Sequence, residues 1–195
     1  MAKMNRREEK KFHIRQTILS AAAKEFKVRG FSDTSVSNIM QEANLGVGTF
    51  YNYFDSKDEV LMILAKNLFT QVEEKINSPA NKNISSLELL SLCCKYTAEL
   101  IDENRFILPL ISSAMNYSDK PEKIPKSLSP GFKKIFDDIL ELGQNRGEIR
   151  KDIPVDLIAE MFHSIYQAAA FSKLEISFKE NVRMKVKILL DGIKI

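Results

Sequence analysis

Cysteine is scarce in this 195-residue sequence: Cys93 and Cys94 are the two, side by side. Neighbouring cysteines rarely bridge each other, so no disulfide framework exists, and the pair points to a reduced, cytoplasmic protein. Histidine is equally sparse, with only His13 and His163. Glu160-x-x-His163 resembles half of a di-iron carboxylate site, but the full site needs a second such motif and two further glutamates. No Ser-His-Asp or Cys-His pairing and no glycine-rich phosphate loop is visible. No catalytic residue, metal or cofactor is therefore assigned, and an enzyme is not expected. No window approaches 18 consecutive apolar residues, which argues against a membrane span. The opening MAKMNRREEKKFHIRQ places charges where a signal peptide needs an apolar run. Strand alternation of useful length and internal repeats are also missing.

What is present begins with charge. The net charge is +3. Residues 1–29 hold nine lysines and arginines against three glutamates, so the basic excess sits at the N-terminal end and the remainder is acidic. Such asymmetry suggests a polyanion facing that end; a solvated charged tail is the plain alternative.

Helical periodicity dominates the rest. Ile14, Ile18, Ala22 and Phe26 recur every fourth residue over 11–29, and Gly30 stops that helix. Thr34 or Ser35 caps a short helix with Val36, Ile39, Met40 and Ala43 inside. Ser56 and Glu59 form a capping box for a helix running to about residue 77. Further helices are expected over 85–103, 104–117 (kinked or broken at Pro109), 131–146, 155–173 and 178–194, with an exposed loop over 118–130.

Between the second and third helical signals lies LGVGTFYNYF, residues 45–54. Phe50 and Phe54 share a face and can anchor a short helix. Val47, Thr49, Tyr51, Asn52 and Tyr53 are then left over, more polar and aromatic surface than so short a helix can bury. Residues 35–54 fit a helix-turn-helix, whose second helix enters the DNA major groove. Thr and Tyr hydroxyls suit phosphates or bases, Asn suits adenine, and Val47 suits a thymine methyl. Lys57, in the first turn of the next helix, opposes that helix's dipole, which a nearby phosphate would explain. A merely solvated lysine is the alternative.

The run ANLGVGTFYNYFDSKDE, residues 43–59, resembles the signature of the TetR family of bacterial transcriptional regulators. ILSAAAKEFKVRGFSDTSVSNI, residues 18–39, is similar to the family's first two helices and their Gly-aromatic turn. The resemblance covers roughly residues 12–65. It implies an all-α fold, with a helix-turn-helix DNA-binding domain over 1–56 and a helical ligand-binding and dimerisation domain over 57–195. It also implies DNA contacts at Ser35, Gly46, Val47, Gly48, Thr49, Tyr51, Asn52, Tyr53 and Lys57. Two positions depart from the pattern. Asn44 stands where glycine is usual, and asparagine tolerates the left-handed conformation the turn needs. Gly46-Val47 replaces a Ser-Lys-like pair, which removes one expected contact.

The resemblance further implies a cytoplasmic homodimer on a palindromic double-stranded operator. A small-molecule effector would release it, most simply as a repressor. A regulator answering to a protein partner through the 118–130 loop is the rival reading. Apolar stripes at Ile158, Met161, Ile165 and Ala169, and at Phe178, Val182, Val186 and Leu189, suit a four-helix dimer interface, or else packing within one chain. Phe69, Tyr96, Phe106, Met115, Tyr117, Phe136, Phe162 and Tyr166 are candidates to line an apolar or aromatic ligand pocket, or are plain core.

Overall fold

The structure, a computed structural model, describes residues 5–108, 110 and 129–195, with side chains in the last stretch from residue 134. Every regular element among these residues is helical, beside one isolated β-bridge between Ile149 and Lys194. None of the described helices is long and apolar enough to cross a membrane. The expected kink at Pro109 and most of the 118–130 loop lie outside the described residues.

The chain divides into two units. The first runs to Ala65 and adds Arg105–Ile107; the second takes Lys66–Asn104 and the residues from Leu108 onward. The division falls inside a helix rather than at the expected 56/57. The reason is burial: Val60, Leu61 and Ala65 are all solvent-shielded and belong to the first unit.

In the first unit, α1 (Arg6–Arg29) opens on a capping box. The Asn5 side chain accepts from Arg7 N–H at 3.3 Å, and Glu8 reaches back to Asn5 N–H at 3.0 Å. This start precedes the periodic region, because apolar spacing reveals only the part of a helix that packs. Gly30, at φ 79°, turns the chain after α1. Ser35 caps α2 (Val36–Glu42), its Oγ accepting from Asn38 N–H at 3.1 Å. Thr34 does not cap; it is buried and donates to the Gly30 carbonyl at 2.7 Å. Asn44 adopts φ 54°, the left-handed turn its side chain tolerates. A single turn, α3 (Val47–Phe50), follows, and then α4 (Lys57–Ile76). Ser56 Oγ accepts from Glu59 N–H at 3.2 Å, while the Glu59 carboxylate takes the N–H of Asp55, at 2.7 Å. The reciprocal half of the box thus lands one residue earlier than expected.

In the second unit, a 3₁₀ turn at Pro79–Asn81 leads to α5 (Ser86–Glu103), capped by Ser85 and Glu88. Then come α6 (Ser129–Asn145), α7 (Val155–Ala170) and α8 (Phe178–Ile193). α5 packs on α6 and α8, and α7 also packs on α6 and α8, so the four close a ring. Gly143 lets α6 come close: a Cβ there would lie 2.5 Å from Ile149 Cδ1 and 2.9 Å from Ser86 Cβ.

Candidate nucleic-acid interface

α3 is held from below by two rings. Phe50 and Phe54 are fully buried, with centroids 5.6 Å apart. After Phe50 the backbone tightens: Asn52 N–H bonds to Thr49 O at 3.2 Å and Tyr53 N–H to Phe50 O at 2.9 Å, i to i−3. The element expected to read DNA is therefore one α-turn continued by 3₁₀-like turns, shorter than 45–54 suggested. Phe50 O also accepts from Phe54 N–H at 3.1 Å, i to i−4, so both anchors stay on one side.

The remaining residues face outward. Val47, Gly46, Gly48, Tyr51 and Asn52 are exposed, while Thr49 and Tyr53 are half-buried. Tyr51 is 61% exposed, though its ring touches Phe50 edge-on at 5.4 Å, which holds its direction. Ser35 is exposed, but its hydroxyl is engaged with Asn38 at 2.6 Å. The two glycines are informative. Gly46 and Gly48 do not need a positive φ, and nothing lies within 4 Å of a Cβ built on either. The fold itself makes no demand for glycine there.

Lys57 is placed differently from the expectation of a free cation near a phosphate. Its Nζ donates to the carbonyls of Phe31 (2.9 Å), Ser32 (3.2 Å) and Thr34 (2.9 Å), and lies 4.5 Å over the Phe31 ring. Three donors meet three acceptors, so the ammonium fastens the α1–α2 turn to the start of α4.

In the second unit, the candidate pocket residues scatter. Phe136 and Phe162 are buried with centroids 5.3 Å apart. Tyr166 is buried and its hydroxyl donates to the Cys94 carbonyl at 3.4 Å. Burial pushes the Cys94 thiol up to about 12 and the Tyr166 phenol well above its ordinary value. Phe69 and Tyr96 are half-buried, with the Lys75 ammonium 4.9 Å over the Tyr96 ring. Phe106 belongs to the first unit, against Phe26 at 5.7 Å. Met115 and Tyr117 lie outside the described residues. A groove of about 570 Å³ between α5 and α8 is floored by Cys94, Ala98, Val182, Val186 and Leu190, and none of the eight candidates lines it. Glu160 is exposed and His163 half-buried, its imidazole pKa lowered by desolvation.

The residues expected in a dimer stripe are mostly turned inward. Ile158, Ile165, Ala169, Phe178, Val182, Val186 and Leu189 are all buried within the single chain. They serve the chain's own helix packing, and Met161 alone of the eight is exposed, at 48%. The open face of α7 is one step round the helix: Leu157, Met161, Ser164, Ala168 and Phe171, spaced four, three, four and three. On α8, Met184 and Ile188 are exposed.

A capped helix, a left-handed turn and a short outward-facing helix on two buried rings define a helix-turn-helix protein. Residues 18–62 match the family described as "Bacterial regulatory proteins, tetR family". The chain is 28% identical over 146 residues to the fatty acid metabolism regulator protein of Bacillus subtilis (strain 168), covering 74% of this chain and 75% of that one. Its fold is similar to Thermus thermophilus FadR in complex with lauroyl-CoA, with a TM-score of 0.71 at 21% identity over 93% of this chain and 95% of that one. FadR from Bacillus subtilis with stearoyl-CoA gives a TM-score of 0.68 at 20% identity, covering 91% of this chain and 98% of that one. Residues 18–62 thus match the TetR family of bacterial transcriptional regulators, and the chain is similar to regulators of that kind over most of its length.

Proposed function

We propose that this protein is a cytoplasmic, homodimeric repressor. It binds a palindromic duplex operator through α3 and leaves it when a molecule with a long apolar chain binds the helical second unit. The observation that carries the DNA reading is the division of α3. Phe50 and Phe54 are buried, while Val47, Thr49, Tyr51, Asn52 and Tyr53 retain exposed surface. A major groove admits one such helix and offers partners to those hydroxyls and that amide. Support for the effector comes from the relatives, whose solved complexes hold lauroyl-CoA and stearoyl-CoA. The exposed stripe on α7 supports a homodimer, because apolar helix faces at heptad-like spacing pack in bundles.

Selection from a random duplex library, followed by gel-shift titration, tests the reading. The expected operator is a palindrome with half-sites about one to two helical turns apart. Tyr53→Ala should weaken its binding with unchanged thermal unfolding. Lauroyl- or stearoyl-CoA should release it, and release confined to sugars would overturn the effector class.

A further inference from the structure

We propose that the overhanging start of α1 is a second DNA-contacting surface, in which Arg7 and Lys11 grip the phosphate backbone beside the base pairs read by α3. The proposal rests on the DNA-binding reading and adds residues outside the segment, 18–62, that matches the family.

Three observations carry it. Arg7, Lys11 and Arg15 recur every fourth residue, so they share one face of α1. Three residues on, that face continues into Ile18, Ala22 and Phe26, which are buried. The face that enters the core further along is therefore cationic where the helix projects: residues 5–13 are all exposed. A helix that merely ended in a solvated tail would not need its cations on the inward face.

The second observation is position. The Arg15 guanidinium lies 5.1 Å over the Phe54 ring, the second anchor of the α3 element. Lys11 and Arg7 follow Arg15 outward at about 6 Å of rise per four residues. The row therefore starts beside the recognition element and leads away from it. A duplex presents a phosphate charge for about every 3.4 Å of axis on each strand, so such a row meets charge along its length.

Third, the two cations are available. Among the described residues, neither the Arg7 nor the Lys11 side chain has an ion-pair or hydrogen-bond partner. Glu8, the nearest acid on that side, has a carboxylate oxygen engaged by the Asn5 N–H in the capping box.

The test uses full-length protein and two 40-bp duplexes, one of random sequence and one recovered by library selection, with fluorescence anisotropy over about 50–200 mM salt. R7Q/K11Q should weaken binding to both duplexes by a similar factor and reduce the salt slope by about one for each phosphate no longer neutralised, about two per bound protomer. Base preference should not change. R6Q/K10Q removes the same charge from the same two turns on a different face and should cost clearly less. Equal losses in the two variants, or an unchanged slope in R7Q/K11Q, would overturn the surface while leaving α3 as the reader. Wild-type protein that binds neither duplex would overturn the DNA reading itself. Circular dichroism unfolding curves that superimpose would exclude loss of the fold, since all four positions are exposed.

Discussion

The Lys57 ammonium donates to the carbonyl of Phe31 at 2.9 Å while lying 4.5 Å over the ring of the same residue. With Ser32 O and Thr34 O also taken, this lysine fixes the turn that delivers α2, and so sets where α3 is presented. A positioning lysine and a phosphate-binding lysine leave different signatures. Lys57→Met keeps the stem and removes the donors, leaving carbonyls partly shielded from water. Stability should fall by about 1.5–3 kcal/mol, the range for hydrogen bonds to a charged group. Operator affinity should fall with it, but the salt slope should stay unchanged. A slope smaller by about one with an unchanged melting temperature would identify a phosphate contact instead.

Gly48 sits in a helical turn without needing glycine, since no atom of the chain lies within 4 Å of the Cβ it lacks. Alanine is a better helix former by about 0.8–1 kcal/mol. Gly48→Ala should therefore leave the protein equally or more stable while weakening operator binding, because on the proposed reading the new methyl would occupy space the duplex needs. Opposite movements of melting temperature and affinity are the readout. An affinity that matches wild type would show that the backbone at Gly48 keeps its distance from DNA.

Local chemistry explains what the sequence disclosed. Helix ends were legible because caps are local: Ser35, Ser56 with Glu59 and the left-handed Asn44 each act within a few residues. So were the anchors Phe50 and Phe54, four apart on one turn. Long-range partners were not legible. Lys57 reaches back to Phe31, 26 positions away, and no spacing rule foretells that. The buried and open faces of α7 were not told apart by spacing. Ile158 and Ile165 on one side and Leu157 and Met161 on the other are both apolar, and only packing shows which pair the chain buries. Division of the second unit's aromatics between pocket and core fails for the same reason.

Stability should decline at both ends of the pH scale for separate reasons. At the alkaline end, burial raises Cys94 to about 12 from 9.0, and Cys93 and Tyr166 are raised as well. Above pH 9 the unfolded thiols release protons that the folded ones retain, so the unfolded state gains and stability falls as pH rises toward 12. C93A/C94A should lose less stability than wild type between about pH 8 and 10.5, measured by denaturant unfolding at each pH. At the acid end, desolvation lowers the His163 imidazole below 6.5. The unfolded chain then binds a proton first, and stability falls as pH drops below 6.5. His163→Gln should flatten that limb; an identical acid limb would show that His163 is not its cause.

The exposed stripe on α7 makes a separable prediction about assembly. Met161 is 48% exposed and Leu157 50%, whereas neighbouring Ile158 is fully buried. Met161→Glu adds a charge to a surface already open in the single chain, so a lone protomer should keep its stability. In a dimer that uses this face, the same charge would be desolvated against a copy of itself across a two-fold axis, and like charges there repel. Light scattering should show a shift from dimer to monomer, and operator affinity should fall because the two half-sites are no longer bound together. Ile158→Ala, by contrast, empties a core position and should cost about 2–5 kcal/mol. If Met161→Glu remains dimeric, the paired face lies elsewhere, and Met184 and Ile188 on α8 are the next residues to charge.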